Sequence, residues 1–267
     1  MAILTISREY GSGGREIGRA VAERLGYAYE DRVSLLASLR AADPRWERFG
    51  DEYDEHSPTV WERFDWSFRG YAALLQRHLL EAAAGDRVVI VGRGGALLLA
   101  GVPTALHVRV VAPLASRIEC IMRREHADHD SVRRMVESVD RQRAAFVRAV
   151  YGGRWDEASL YHATYDTSLL DPPVVVQDIL ARLAAHDVAD REVSRRILAR
   201  RLGAARVRAA LCTDPHLQQL TTLEVAEDGG AIAVRGVLHQ PEERRRIEEA
   251  ACAHAGAFPV RFDLRFR

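Results

Sequence analysis

The chain has 267 residues, 48% hydrophobic and 28% charged, with 38 basic and 38 acidic residues and a formal net charge of zero. That length holds one sizeable buried core and a smaller second one, and the zero balance points to neither nucleic acid nor a membrane surface as partner. Cys120, Cys212 and Cys252 are scattered without paired spacing and predict a reducing, cytoplasmic setting. The first residues form an apolar stretch with no charged leader, so no signal peptide is expected, and no apolar run approaches the ~18 residues of a membrane span.

The first element organises the rest. Ile3-Leu4-Thr5-Ile6 predicts a buried parallel strand, Gly11-Ser12-Gly13-Gly14 a turn, and Ile17, Val21, Ala22 and Leu25 one face of a helix closed by Gly26. Strand, glycine turn and helix make the geometry of a phosphate cradle, in which backbone amides and a helix N-terminus face an anion. The same pattern also serves simply to pack a helix tightly on a strand. A Walker loop ends in Gly-Lys-Ser/Thr, whereas Gly14-Arg15-Glu16 stands here, and the chain contains no lysine.

Residues 29–42 predict a second helix, stopped by Asp43-Pro44. Residues 44–58, polar and dotted with Trp46, Phe49 and Tyr53, predict a loop or broken helix. Residues 59–84 predict a long helix whose aromatic stripe, Trp61, Trp66, Phe68 and Tyr71, suits either a base-binding pocket or the core. Residues 87–91 form the cleanest buried strand, ended by Gly92-Arg93-Gly94-Gly95 and followed by a short helix over 96–100. A strand over 105–111, a helix begun by Pro113, a charged helix over 128–150, a short strand over 161–165 and a helix from Pro172-Pro173 to His186 complete this part. Strands alternating with amphipathic helices predict an α/β fold with a parallel sheet covered on both faces. Both glycine turns fall at strand carboxyl ends, where such sheets bind ligands.

A composition shift at 187–193 divides the chain into 1–186 and 187–267. The second part predicts a basic helix over 191–211, strands over 217–226 and 231–238 joined by Asp228-Gly229-Gly230, a helix over 241–254 and a strand over 259–266. This self-contained α+β pattern resembles the BON domain.

The run Ile6-Ser7-Arg8-Glu9-Tyr10-Gly11-Ser12-Gly13-Gly14-Arg15-Glu16-Ile17-Gly18, with Ala22-Glu23-Arg24-Leu25-Gly26-Tyr27 and Asp31-Arg32, resembles the cytidylate kinase-like family, a branch of the P-loop nucleoside monophosphate kinases. The resemblance covers about residues 2–186. It implies a P-loop kinase-like sheet and a phosphotransferase using ATP and Mg2+ on a nucleoside monophosphate. It places the donor phosphates on Gly11, Ser12, Gly13, Gly14, Arg15 and Glu16. Arg93 matches the Gly-Arg of a Gly-Arg-Asp motif whose aspartate is Gly94 here. Asp31 and Arg32 match the start of the acceptor segment, and Asp140-Arg141-Gln142-Arg143-Ala144 matches a closing lid. Arg117, Arg123 and Arg124 flank that lid, and Asp166 follows the last strand. Arg15, Arg141 and Arg143 are then the expected catalytic cations, the lid pair holding the transition-state charge. His126, Asp128, His129 and Asp130 are adjacent in sequence and do not converge as a metal site without help. A second reading is a nucleotide-sensing protein whose C-terminal part binds a protein or lipid-headgroup partner. A homo-oligomer is compatible with either reading.

Overall fold

The computed structural model describes residues 2–54, 59, 61–92, 94–187 and 190–267. A five-stranded parallel sheet runs in the order β2-β3-β1-β4-β5, with β1 Ile3–Arg8, β2 Ala28–Glu30, β3 Val88–Val91, β4 Ala105–Val111 and β5 Ala163–Asp166. Ile3 is in register with Val88 on one side and Ala105 on the other, so the three central strands start level. Side chains alternate across the sheet. Leu4, Ile6, Val89, Val91, Leu106, Val108 and Val110 turn to one face, where they pack on α1 Gly14–Leu25 and α8 Pro172–Asp187. Ile3, Val88, Ile90 and Ala105 turn to the other, under α4 Trp66–Ala84.

Several sequence expectations change. Residues 29–42 split into β2 and α2 Arg32–Ala42, because Asp31 caps the helix through the amides of Val33 and Ser34. The segment expected as a loop or broken helix forms an unbroken helix, α3 Pro44–Asp54; residues 55–58 lie outside the described ones. Pro44 occupies the first helical position, and Trp46, Phe49 and Tyr53 recur at helical spacing. They bury themselves on the aromatics of α4, with Trp46–Trp66 and Tyr53–Phe68 centroids 5.1 Å apart. The aromatic stripe is therefore core: Phe68 and Tyr71 are buried and Trp66 packs against them, while Trp61 is exposed. The long helix itself starts only at Trp66; before it lies a single 3-10 turn, Glu62–Phe64.

The remaining helices of the first part are α5 Gly95–Leu98, α6 Leu114–Glu125 and α7 His129–Tyr151. The C-terminal part holds α9 Arg191–Thr213, β6 Glu224–Asp228, β7 Ala231–Leu238, α10 Pro241–His254 and β8 Val260–Phe266. Its sheet pairs β6 antiparallel and β8 parallel to β7. Leu217, expected in a strand, ends a 3-10 turn, Pro215–Leu217.

Helix α9 belongs to two cores. Leu198, Leu202, Ala205 and Ala209 join the core under the parallel sheet, whereas Ala204, Val207 and Leu211 join β6, β7 and α10. Its arginines fasten the two parts. Arg201 donates to the carbonyls of Leu98 and Ala100, and Arg208 joins Gln76 of α4 to the Val225 carbonyl. Among the described residues no helix is long and apolar enough to cross a membrane.

Candidate active site

The chain leaves β1 at Arg8 and must reverse within five residues to enter α1. Gly11 and Gly13 do this at φ +84° and +79°, a left-handed conformation that favours glycine. No side chain caps α1, so the amides of its first turn face outward. Ser12 is buried, and its hydroxyl donates to the carbonyls of Glu9 (2.9 Å) and Val110 (3.0 Å). It fastens the loop and faces away from the cleft.

Two expected ligand residues hold the loop from behind. Asp140 accepts the Tyr10 amide at 2.9 Å and Arg117 Nη1 at 2.6 Å. Arg117 in turn donates to the carbonyls of Tyr10 (3.1 Å) and Ala112 (2.9 Å). Helices α6 and α7 thus grip the turn through one buried ion pair.

In front lies a cleft of about 1000 Å³ at the carboxyl ends of β1 and β3. Gly11, Gly13, Gly14, Arg15, Glu16, Asp31, Arg32 and Arg143 line it, together with Gly92 and Gly94. Arg93 lies outside the described residues. Within the cleft Arg15 donates to Asp31, and Arg32 to Asp51 at 2.7 Å. Burial alone would raise the Asp31 carboxyl, but the bonds from Arg15, Val33 and Ser34 bring it below its ordinary range.

The lid expectation divides. Helix α7 is unbroken through the segment, which puts Arg141 and Arg143 on different sides. Arg143 donates to the Arg8 carbonyl at 3.3 Å and lies over the Tyr10 ring at 5.5 Å. Burial pushes its pKa below the ordinary arginine value, and nearby Asp140 works in the opposite direction. Arg141 is exposed and does not line the cleft, and neither does Arg123, which pairs with Glu119 along its own helix. Asp166 turns to the amide and hydroxyl of Ser168. Asp128 caps α7 through the Ser131 amide, and among the described residues no group of three or more His, Cys, Asp or Glu side chains is placed to hold a metal ion.

Sequence reasoning missed part of the wall. The Tyr10 ring lies between Arg143 and Arg124, the latter 5.9 Å from its centroid. Glu9 accepts the Ala112 amide and sits 3.5 Å from both Arg109 and Arg117. Arg109 stacks on Trp155, which lines the cleft with Tyr161. Their only sequence signal is the charged pair Arg8-Glu9 directly before the glycine turn, where a strand end is ordinarily solvated.

The sequence profile of the cytidylate kinase-like family matches residues 3–169. No curated protein matches the chain. Among solved structures, an uncharacterized protein from Eubacterium ventriosum aligns with 69% of this chain and 99% of its own, at 18% identity and TM-score 0.53. Shikimate kinase from Acinetobacter baumannii, in complex with shikimate, aligns with 70% of this chain and 96% of its own, at 14% identity and TM-score 0.39. TT1252 from Thermus thermophilus aligns with 68% and 97%, at 19% identity and TM-score 0.42. At these identities the first likeness speaks to the fold alone. The profile match covers more than half of the chain, from the first strand to the turn after β5, and places the protein in the cytidylate kinase-like family.

Proposed function

We propose that the protein is a cytoplasmic nucleotide-binding phosphotransferase that moves a phosphoryl group from ATP to a nucleoside monophosphate. One observation carries this reading: the uncapped N-terminus of α1 opens into a cleft that Arg143 also lines. Phosphoryl transfer asks a protein mainly for positioning and charge neutralisation, and amides with a half-buried guanidinium supply both. A cleft of about 1000 Å³ is at the upper end of small-molecule sites and accommodates donor and acceptor together. Mg2+ would arrive with the nucleotide. The loop hydroxyl that ordinarily meets it faces inward in Ser12, and Asp31 is engaged by Arg15. Glu16, exposed at the first turn of α1 and without an ion pair among the described residues, is the carboxylate that fits this task.

In this reading Asp31 and Arg32 mark the acceptor side of the cleft and Gly11 to Gly14 the donor side. The test is incubation with ATP and a panel of nucleosides and nucleoside monophosphates while ADP release is followed. Turnover on one acceptor class supports the proposal; ATP binding with no turnover on any acceptor favours the nucleotide-sensing reading. The observation behind that second reading is Gly14 at the place of the Walker lysine. In it the C-terminal α+β part, whose element pattern resembles the BON domain, supplies the output by binding a protein or lipid headgroup.

A further inference from the structure

A phosphate loop without lysine needs its cation from elsewhere, and the geometry around Gly14 shows why no side chain stands there. A Cβ built on Gly14 would lie 2.6 Å from the Arg8 Cβ and 3.2 Å from its Cγ, closer than real Cβ atoms come. The Arg8 stem fills the space through which a side chain at position 14 would leave the helix. Its far end is fixed by a second glycine. A Cβ on Gly92 would lie 2.0 Å from Arg8 Nη1 and 2.7 Å from its Cζ. The guanidinium therefore rests on the bare backbone just past β3, having crossed from the loop side of the cleft to the neighbouring strand end.

Arg8 is the last residue of β1 and continues the row of Leu4 and Ile6, which face α1. Alternation thus brings it out at the rim beneath the first turn of α1, and it lines the cleft with Gly13, Gly14 and Gly92. Arg143 donates to the Arg8 carbonyl and fixes the backbone from which the side chain departs. We propose that Arg8 takes the part of the phosphate-loop lysine, its guanidinium meeting the β- and γ-phosphate oxygens of a nucleotide seated on the α1 N-terminus. A lysine at position 14 would approach the phosphates from the helix; Arg8 approaches from the strand, and its planar fork can grip two oxygens at once. The assignment rests on the nucleotide reading of the cleft, but it concerns polyphosphate, so the two can be separated by experiment.

Affinities for ATP, AMP and inorganic tripolyphosphate are measured by calorimetry on the full chain and its variants, each with a thermal melt. Arg8→Met is expected to weaken ATP and tripolyphosphate by roughly 10- to 100-fold, the loss of a charge-assisted hydrogen bond. AMP, which lacks the outer phosphates, should change by less than about twofold on the same scale. Arg8→Lys should recover most of the loss. A reciprocal exchange gives a second route: Gly14→Lys alone should lower the melting temperature, because its Cβ meets Arg8. In the Arg8→Gly background the same lysine finds room and should restore ATP affinity. Unchanged ATP and tripolyphosphate affinity in a folded Arg8→Met overturns the assignment. So does an equal loss for ATP and AMP, which marks Arg8 as a strut. A wild type that binds tripolyphosphate through Arg8 but not ATP overturns the nucleotide reading alone, and a wild type that binds neither overturns both.

Discussion

Arg15 donates two hydrogen bonds to one carboxylate oxygen of Asp31, from Nε at 3.0 Å and from Nη2 at 2.7 Å. The same Asp31 caps α2, so the residue next to the vacant lysine position braces the cleft wall that the proposed reading gives to the acceptor. The sequence expectation gave Arg15 to the donor phosphate. The observed partner predicts otherwise: Arg15→Ala should leave ATP affinity within about threefold and weaken the acceptor severalfold. Arg15 is about half exposed, so the stability cost stays below about 1 kcal/mol. An acceptor KM that does not move while the ATP affinity falls tenfold would return Arg15 to the donor site.

Arg143 and Arg141 are two residues apart on α7 and should behave as opposites. Arg143 is largely buried against Tyr10 and the Arg8 carbonyl, and it lines the cleft. Arg143→Ala should lower turnover by on the order of 10³-fold, the scale for an arginine that stabilises a transferring phosphoryl group. Arg143→Lys should recover only part of this, because the bidentate grip is lost. Arg141 is exposed and outside the cleft, and Arg141→Ala should retain at least half of the activity. The contrast is read from single-turnover rates of the three variants. Similar rates for Arg141→Ala and Arg143→Ala would rule out this division.

The strands and the glycine turn were legible because a buried parallel strand is a short apolar run wherever it sits, and Gly11 and Gly13 are needed by the backbone alone. Helix α3 was not, since its overall composition is polar and its large apolar side chains are only Trp46, Phe49 and Tyr53; their partners, Trp66 and Phe68, lie on another helix. The cleft residues fared similarly. Arg8 reads as the solvated end of a strand until Gly14 and Gly92 are seen to make room for it. Asp140 and Arg117 read as ligands, since sequence cannot tell which side of a loop a side chain approaches from.

The sequence also suggested that the C-terminal part folds by itself, whereas α9 is shared between two cores. Excising 191–267 would expose Leu198, Leu202, Ala205 and Ala209, each under 9% exposed in the whole chain. Two leucines alone are worth about 3–6 kcal/mol of burial, a large share of a small unit's stability. Residues 1–187 alone would in turn uncover the α4 face that packs on α9. Each fragment is expected to aggregate or melt without cooperativity, and mixing them should restore a cooperative transition. Calorimetry of the separate and mixed fragments decides it; a sharp melt of 191–267 alone would mean that the shared face is dispensable.

The last prediction concerns three histidines on the side of the molecule where α8 and α9 meet β4. His107 is buried, with Nδ1 2.7 Å from the Thr5 hydroxyl, and its amide donates to His162 Nδ1 at 2.9 Å. The His162 ring lies 5.3 Å from His107 and 4.9 Å from His186. Burial, and then the neighbouring His162, His186 and Arg201, push the His107 pKa down to about 4, from an ordinary 6.5. His162 is lowered for the same first reason. In the unfolded chain both titrate near 6.5, so below that pH the unfolded state binds more protons than the folded one. Stability is therefore full above about pH 6.5 and is lost as the pH falls toward 4. For His107 alone the loss between pH 7.5 and pH 5 is about 2 kcal/mol, or about 4–8 °C in Tm for a chain of this size. Replacing His107 by Gln removes the titrating group, so His107→Gln should lower stability at pH 7.5 yet show a flatter decline on acidification. Parallel declines for wild type and variant between pH 7.5 and pH 5 would show that His107 does not set the acid limit of the fold.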